Sequence, residues 1–309
     1  MYNASCAPGK YDKINKTCFT TDQLVEMAKA YNRFYTKYKL DPNRTHNISS
    51  KLIHIKESKP YLLSKFREIF DKVCDGSGST SEECWTKQGF MNQIAAEIKD
   101  DILENTFRTI GPKNSTDWLA TADIKGIMEK YNFIYPNFLF LGAVPLDCDS
   151  LAFCILYKFD FDYYAKNNIT QLAVIFNLDK YGQAGSHWVA LFMDLAIGEI
   201  CYCDSNGNPP IEHINNIINS FKKYYVNKTG HQATYRYNTR PYQKDGSECG
   251  VYCCNFIIRK LAGQDFDDIV KNALSFKEIN SCRNVYFRNK SSKYEPHPNC
   301  DPTNIFNEK

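Results

Sequence analysis

Long apolar runs are what this chain lacks. Its longest, Phe138 to Leu146 and Leu151 to Tyr157, fall far short of the roughly 20 residues a membrane-spanning helix needs. The opening Met1-Tyr-Asn-Ala-Ser-Cys6 carries no charged-then-apolar signal pattern, so the expectation is a soluble protein that stays in the cytosol. One-sided charge is also missing. With 38 Lys and Arg against 35 Asp and Glu, nothing argues for a nucleic-acid groove or a broadly basic membrane surface. Regular cysteine spacing is absent too. Thirteen cysteines, an odd number scattered along the chain, read as reduced thiols rather than a disulfide framework. Cys201-Tyr-Cys203 and Cys253-Cys254 are close pairs without a second half at zinc-site spacing, so neither a structural metal nor another cofactor is expected. Sequons at Asn15, Asn43, Asn47, Asn114, Asn168 and Asn227 are read as chance matches in an Asn-rich chain.

What is present centres on Tyr242-Gln-Lys-Asp-Gly-Ser-Glu-Cys249-Gly-Val-Tyr-Cys-Cys-Asn-Phe-Ile-Ile258, a polar loop that runs straight into an apolar helix. Cys249 falls at the helix start, where unpaired N–H groups and the positive end of the helix dipole collect. That setting, beside a histidine, favours a thiolate and hence a nucleophile. Cys253 and Cys254 on the same helix read as inert packing. Gly250 after the cysteine leaves room for a substrate backbone to approach.

Upstream, Gly185-Ser-His187-Trp-Val-Ala-Leu-Phe-Met-Asp-Leu195 and Glu199-Ile-Cys-Tyr-Cys-Asp204 are two apolar strands separated by a short turn. Paired as an antiparallel hairpin about Ala196 and Ile197, they place His187 and Asp204 opposite or diagonal to one another, about 5 to 8 Å apart at Cβ. A carboxylate beside an imidazole fixes its tautomer and stabilises its protonated form, which is what activation of a cysteine requires. Asp194 is the competing acid. It lies seven residues along the same strand from His187, more than roughly 20 Å at about 3.3 Å per residue. Gln243, six residues before Cys249, can donate to a developing oxyanion alongside the Cys249 N–H.

In that order and at those separations, His187, Asp204, Gln243 and Cys249 resemble the Ulp/adenain clan of cysteine proteases. The strings Gly-Ser-His-Trp-Val-Ala-Leu-Phe-Met-Asp, Asp-Ser-Asn-Gly-Asn-Pro-Pro and Ser-Glu-Cys-Gly resemble, within it, the polyprotein-processing proteases of large nucleocytoplasmic DNA viruses, the African swine fever virus protease type. The resemblance covers roughly Trp118 to Gly263. It implies an α+β fold, a central mixed sheet flanked by helices, and a cysteine endopeptidase acting after Gly-Gly sites in viral structural polyproteins, in host cytoplasm and virion. Virion core proteins would then be its partners. Trp118-Leu119 is similar to the Trp-Leu pair that opens the protease domain in the Ulp family, where the tryptophan roofs a narrow channel for glycines, and Trp188 would wall the same tunnel. Ala120-Thr121 stand where that family continues Asn-Asp, which speaks against SUMO-like modifiers. The alternatives are a SUMO-, NEDD8- or ubiquitin-type deconjugating protease and a non-catalytic binding protein on the same fold.

The remainder divides into residues 1–110, a helical accessory region, a protease domain over 111–280, and a polar, poorly ordered tail over 281–309. Thr20 and Gln23 form a capping box ahead of Leu24, Ala28, Tyr31, Tyr35 and Tyr38 at helical spacing. Pro60 opens a second helix, Asp75 to Glu83 is a loop, and a third helix spans about Phe90 to Glu104. Asn114 to Asp117 supply caps for a helix through Tyr131. Leu172 to Leu178 is a buried strand beside the His187 strand. Pro209 and Pro210 begin a helix through Tyr225, and Ala233 to Thr239 is a strand leading into the Gln243 loop.

Overall fold

The structure, a computed structural model, describes residues 5–39, 52–75, 81–244 and 246–303. The 76–80 portion of the expected loop, the Tyr38 side chain and the sequons at Asn43 and Asn47 lie outside the described residues. The described residues form two compact units, one up to Arg108 and one from Thr109 onward.

The first unit is helical, with α1 (Thr21–Lys39), α2 (Lys59–Cys74), α3 (Ser81–Trp85) and α4 (Ala96–Asn105). The capping box forms: the Thr20 N–H donates to Gln23 Oε1 at 3.0 Å and the Gln23 N–H to Thr20 Oγ1 at 3.1 Å. Pro60 sits in the first turn of α2, where its missing N–H costs nothing. The expected third helix is instead two pieces. Gly89–Gln93 is a single 3-10 turn, Ile94 and Ala95 are extended, and α4 follows. Ile94 and Ile102 are both buried, so a broken element satisfies the apolar spacing. The core is aromatic, with Phe19 and Phe66 stacked on Trp85 and Phe70 stacked on Phe90.

The second unit is an α+β layer structure. α5 (Thr121–Asn132) precedes β1 (Phe138–Pro145), α6 (Phe161–Lys166), β2 (Gln171–Asn177), β3 (Trp188–Asp194), β4 (Glu199–Cys203), α7 (Glu212–Thr229), β5 (Thr234–Tyr237), α8 (Cys249–Leu261), α9 (Phe266–Lys271), α10 (Phe276–Ser281) and α11 (Arg283–Tyr286). The strands lie in the order of the chain, with β1 parallel to β2, β2–β3–β4 antiparallel, and β4 parallel to β5. Alternation sorts the two faces. Ala190, Phe192, Cys201 and Cys203 pack with α5 and α8, while Val189, Leu191, Met193 and Tyr202 pack with Ile214, Ile218 and Phe221 of α7. β3 is buried along its whole length and so is α8, which makes these two the centre of the unit. Lys260 in the last turn of α8 pairs with Glu199 of β4 at 2.8 Å, both buried, and pins the far end of the helix to the sheet.

Three expectations are corrected. α5 begins at Thr121, because Asn114 and Asp117 close a turn of their own and Asp123 caps the helix by accepting the Ala120 N–H at 2.8 Å. The cysteines are not all reduced. Disulfides join Cys6–Cys18, Cys74–Cys84, Cys148–Cys154 and Cys282–Cys300, while Cys201, Cys203, Cys249, Cys253 and Cys254 are free thiols. Nor is the segment after 281 a loose tail up to residue 303. Val285, Tyr286, Phe287 and Cys300 lie in the core beneath α8, and the Asn255 side chain on α8 donates to the Asn299 carbonyl at 2.7 Å. Several of its polar residues bond one another or their neighbours, with Ser292 donating to Asn280 Oδ1 at 2.6 Å and Asn284 to the Ser292 carbonyl at 2.8 Å. Among the described residues, no helix is long and apolar enough to cross a membrane.

Opening the Cys282–Cys300 bridge with the double variant Cys282→Ser/Cys300→Ser releases a closed loop spanning 18 positions. Urea denaturation should then show a loss of about 3 kcal/mol, the loop-closure value for that length.

Candidate active site

His187 and Asp204 come together at one end of the sheet, and the loop carrying Gln243 bonds Ser205 at that same end. β3 and β4 pair with Ala190 opposite Cys203 and Asp194 opposite Glu199. Continued past Ala190, that register sets Val189 against Asp204 and His187 against Asn206, so histidine and aspartate are diagonal neighbours, as their distances from the turn imply. His187 Nε2 lies 2.6 Å from Asp204 Oδ1. The backbone on both sides is fixed. The His187 carbonyl accepts the Leu178 N–H at 2.9 Å, and Asn238, buried just after β5, accepts the Asp204 N–H at 2.9 Å and donates to the Asp204 carbonyl at 2.6 Å. Asp194 is at the opposite end of β3, where its carboxylate accepts the Ala196 N–H at 2.9 Å and closes the turn.

Asp204 begins a tight turn in Asp204-Ser-Asn-Gly-Asn208. Its carboxylate accepts the Asn206 N–H at 2.8 Å and the Asn208 N–H at 3.2 Å. Gly207 holds φ +73°, and a Cβ there would come within 2.8 Å of the Arg240 and Pro241 backbone, so only glycine fits. Three hydrogen bonds thus converge on the Asp204 carboxylate. Burial pushes its carboxyl up, but the bonds from His187 and the Asn206 N–H outweigh burial and hold it below the usual carboxylate value. An ionised carboxylate only accepts, so Nε2 of His187 carries its hydrogen toward Asp204 and Nδ1 is left for another partner. The Cys249 thiol lies close enough to the ring to help raise its pKa. Burial lowers the His187 pKa, and the bonds to Asp204 and Cys249 more than reverse it, raising it from 6.5 to about 9.

Cys249 is the first residue of α8 and is buried. Gln243 lies half-buried in the loop before it. Its N–H donates to the Ser205 carbonyl at 3.1 Å, and Ser205 Oγ donates to Gln243 Oε1 at 2.6 Å, so the acceptor end of the amide is tied down and the donor end faces away from Ser205. Ser205, Asn206 and Asn238 escape the sequence reading. The Asp-Ser-Asn-Gly-Asn string carries a turn signal that points to the first two, whereas Asn238 has none.

The tryptophans differ. Trp188 is buried and donates from Nε1 to the Leu119 carbonyl at 2.9 Å, while Trp118 is 52% exposed. Both line a groove of about 520 Å³ that continues along Asn177, Asp179, Tyr181 and Gly185 and does not itself include Cys249 or His187. Gly250 does not face that groove. A Cβ there would meet Leu119 Cβ at 3.1 Å and Ile124 at 3.4 Å, so its smallness serves the packing of α8 on Leu119 and α5 rather than an approaching substrate.

Residues 168–295 match the model of the Ulp1 protease family, C-terminal catalytic domain. The chain is 55% identical over 300 residues to "Putative thiol protease R355" of Acanthamoeba polyphaga mimivirus, covering 97% of this chain and 98% of that protein. The chain belongs to the Ulp1 protease family. As an Ulp1-family member it is a cysteine protease, of the type carried by large DNA viruses. It is also 22% identical over 228 residues, 68% of this chain and 84% of the relative, to a SUMO-1 cysteine protease of an African swine fever virus isolate from Kenya. A crystal structure of an African swine fever virus protease superposes with a TM-score of 0.62 at 19% identity over 74% of this chain and 90% of that one, a likeness of fold. The Ulp1-type α+β fold expected from the sequence is therefore the fold present.

A group whose folded pKa is raised stabilises the fold fully below its unfolded value and ceases to do so as pH climbs through the folded one. His187 should thus contribute stability below about 6.5 that disappears as pH rises through about 9. In NMR-monitored titration its ring should change charge near pH 9, and Asp204→Asn should bring that midpoint down; a wild-type midpoint near 6.5 would contradict the arrangement.

Proposed function

We propose that the protein is a cysteine endopeptidase that cleaves after Gly-Gly-type sites, with Cys249 as nucleophile, His187 as acid and base, Asp204 as the group that orients His187, and Gln243 with the Cys249 N–H as oxyanion donors. The single observation that carries this reading is the 2.6 Å bond from His187 to Asp204 with the Cys249 thiol in reach of the same ring. The thiol proton passes to His187, and the thiolate attacks the carbonyl carbon before the scissile bond. The tetrahedral oxyanion takes hydrogen bonds from the Gln243 amide and the Cys249 N–H. On collapse the C–N bond breaks, His187 returns its proton to the leaving amine, and the thioester remains. Water then attacks that thioester with His187 as base, releasing acid and thiol.

Trp118 and Trp188 are proposed as the walls that admit only glycine side by side before the cut, since any Cβ would meet an indole face. The natural substrate in this reading is a viral structural polyprotein, processed in host cytoplasm and virion, with core proteins as partners. A second reading has one observation in its favour: the African swine fever virus relative is named for SUMO-1. Against it, Ala120 and Thr121 line the groove where Asn and Asp would offer polar contacts to a modifier.

Incubation with Gly-Gly-Xaa peptides should give cleavage after the second glycine. Cys249→Ala should abolish it with the fold intact, and Gln243→Ala should lower kcat by about 10² to 10³, the usual cost of one oxyanion donor. A folded SUMO vinyl-sulfone probe should label the protein no faster than a short Gly-Gly vinyl sulfone. Labelling that depends on the folded modifier would instead establish the deconjugase reading.

A further inference from the structure

Arg283 is wholly buried at the start of α11, an unusual place for a guanidinium. Its Nη2 donates to the Asp117 carbonyl at 2.8 Å and reaches the Ser247 carbonyl at 3.4 Å. Nε and Nη1 are buried without a hydrogen-bond partner among the described residues. Such a cation is costly to hold: burial favours the neutral form and lowers its pKa, against the opposing pull of the Glu248, Asp117, Asp123 and Cys249 charges. Two features set this location apart. The carbonyls it holds belong to the residue before Trp118 and to the residue two before Cys249, so one side chain joins the groove wall to the segment that sets the nucleophile. And Glu248, immediately before Cys249, is itself buried at 1% exposure, its carboxylate engaged by Ser247 Oγ. A buried carboxylate adjacent to a thiol opposes the thiolate by like-charge repulsion.

We infer that Arg283 is a positioning residue for the nucleophile: it supplies the countercharge that lets Cys249 ionise beside Glu248, and it ties the Cys249 loop to the Trp118 segment. The inference rests on Cys249 being the nucleophile. The charged and titratable groups set against the pair are His187 at the β3 edge, Asp117 before α5, Asp123 on α5, and Glu248 and Cys253 of the α8 segment. Arg283 comes from the segment after 281, whose attachment through Cys282–Cys300 thereby becomes part of the active-site architecture.

The test is the pH dependence of Cys249 alkylation by iodoacetamide, followed by peptide mapping, in the full chain and in Arg283→Gln and Arg283→Lys. Arg283→Gln keeps an amide donor and removes the charge. The pH of half-maximal alkylation should rise by about one unit or more, the low end of a close charge's effect. kcat on a Gly-Gly peptide should fall by up to about tenfold at pH values below the wild-type alkylation midpoint, with KM little changed, as one unit of ionisation requires. Arg283→Lys keeps the charge, and its alkylation profile should superimpose on that of the wild type. A folded Arg283→Gln with the wild-type profile overturns the inference, as does an Arg283→Lys that loses as much as Arg283→Gln. Should Arg283→Gln fail to fold, Arg283→Lys decides, and a shift of a unit in its profile is contrary. Alkylation that spares Cys249 in the wild type removes the nucleophile reading itself and takes the inference with it.

Discussion

A hydrogen bond of 2.6 Å between His187 and Asp204 is the contact on which the site depends, and it exists because two adjacent strands share one register. A shift of one residue in that pairing would send every side chain of β4 to the other face. The register is defended at both ends. Asp194 closes the turn below, and the Asn238 amide grips the Asp204 backbone above. Between them the hairpin is buried on both faces, against α8 on one side and α7 on the other, so slippage would expose two cores at once.

The same constraint governs the cysteine. α8 is buried over all thirteen of its residues, which leaves its first turn no freedom to wander relative to β3. The Lys260–Glu199 pair holds its last turn. Gly250 lets Leu119 approach the helix, and through the Leu119 carbonyl that approach also anchors Trp188. The residue after Cys249 and the residue after His187 are therefore coupled through one leucine, a link that neither sequence motif displays.

The chemistry-bearing parts are legible in the sequence because each rests on local pattern. The hairpin follows from two apolar runs with a short turn, the helix start from a polar loop meeting an apolar run, and the α1 cap from Thr20 and Gln23. What escapes depends on distance in space. Cys282 and Cys300 are each ordinary in their neighbourhoods, and only the fold brings them together. The segment from 282 to 303 is polar in composition and so reads as solvent-facing, yet Asn280, Asn284 and Ser292 satisfy one another and can be enclosed. At position 250, spacing reports that a glycine is needed and does not report what approaches it, which is Leu119 rather than a substrate. The break between Gly89–Gln93 and α4 is hidden in the same way, since Ile94 and Ile102 keep helical spacing across a kink.

Five free cysteines share the core around the sheet and α8, and of these Cys249 is the one that acts on the His187 ring. The most direct measurement is therefore mass spectrometry of the intact chain after reaction with a Gly-Gly peptide vinyl sulfone, followed by peptide mapping. A single adduct on Cys249, formed far more slowly in His187→Ala, is the predicted result. An adduct on Cys201, Cys203, Cys253 or Cys254, or one on Cys249 whose rate ignores the loss of His187, would contradict it.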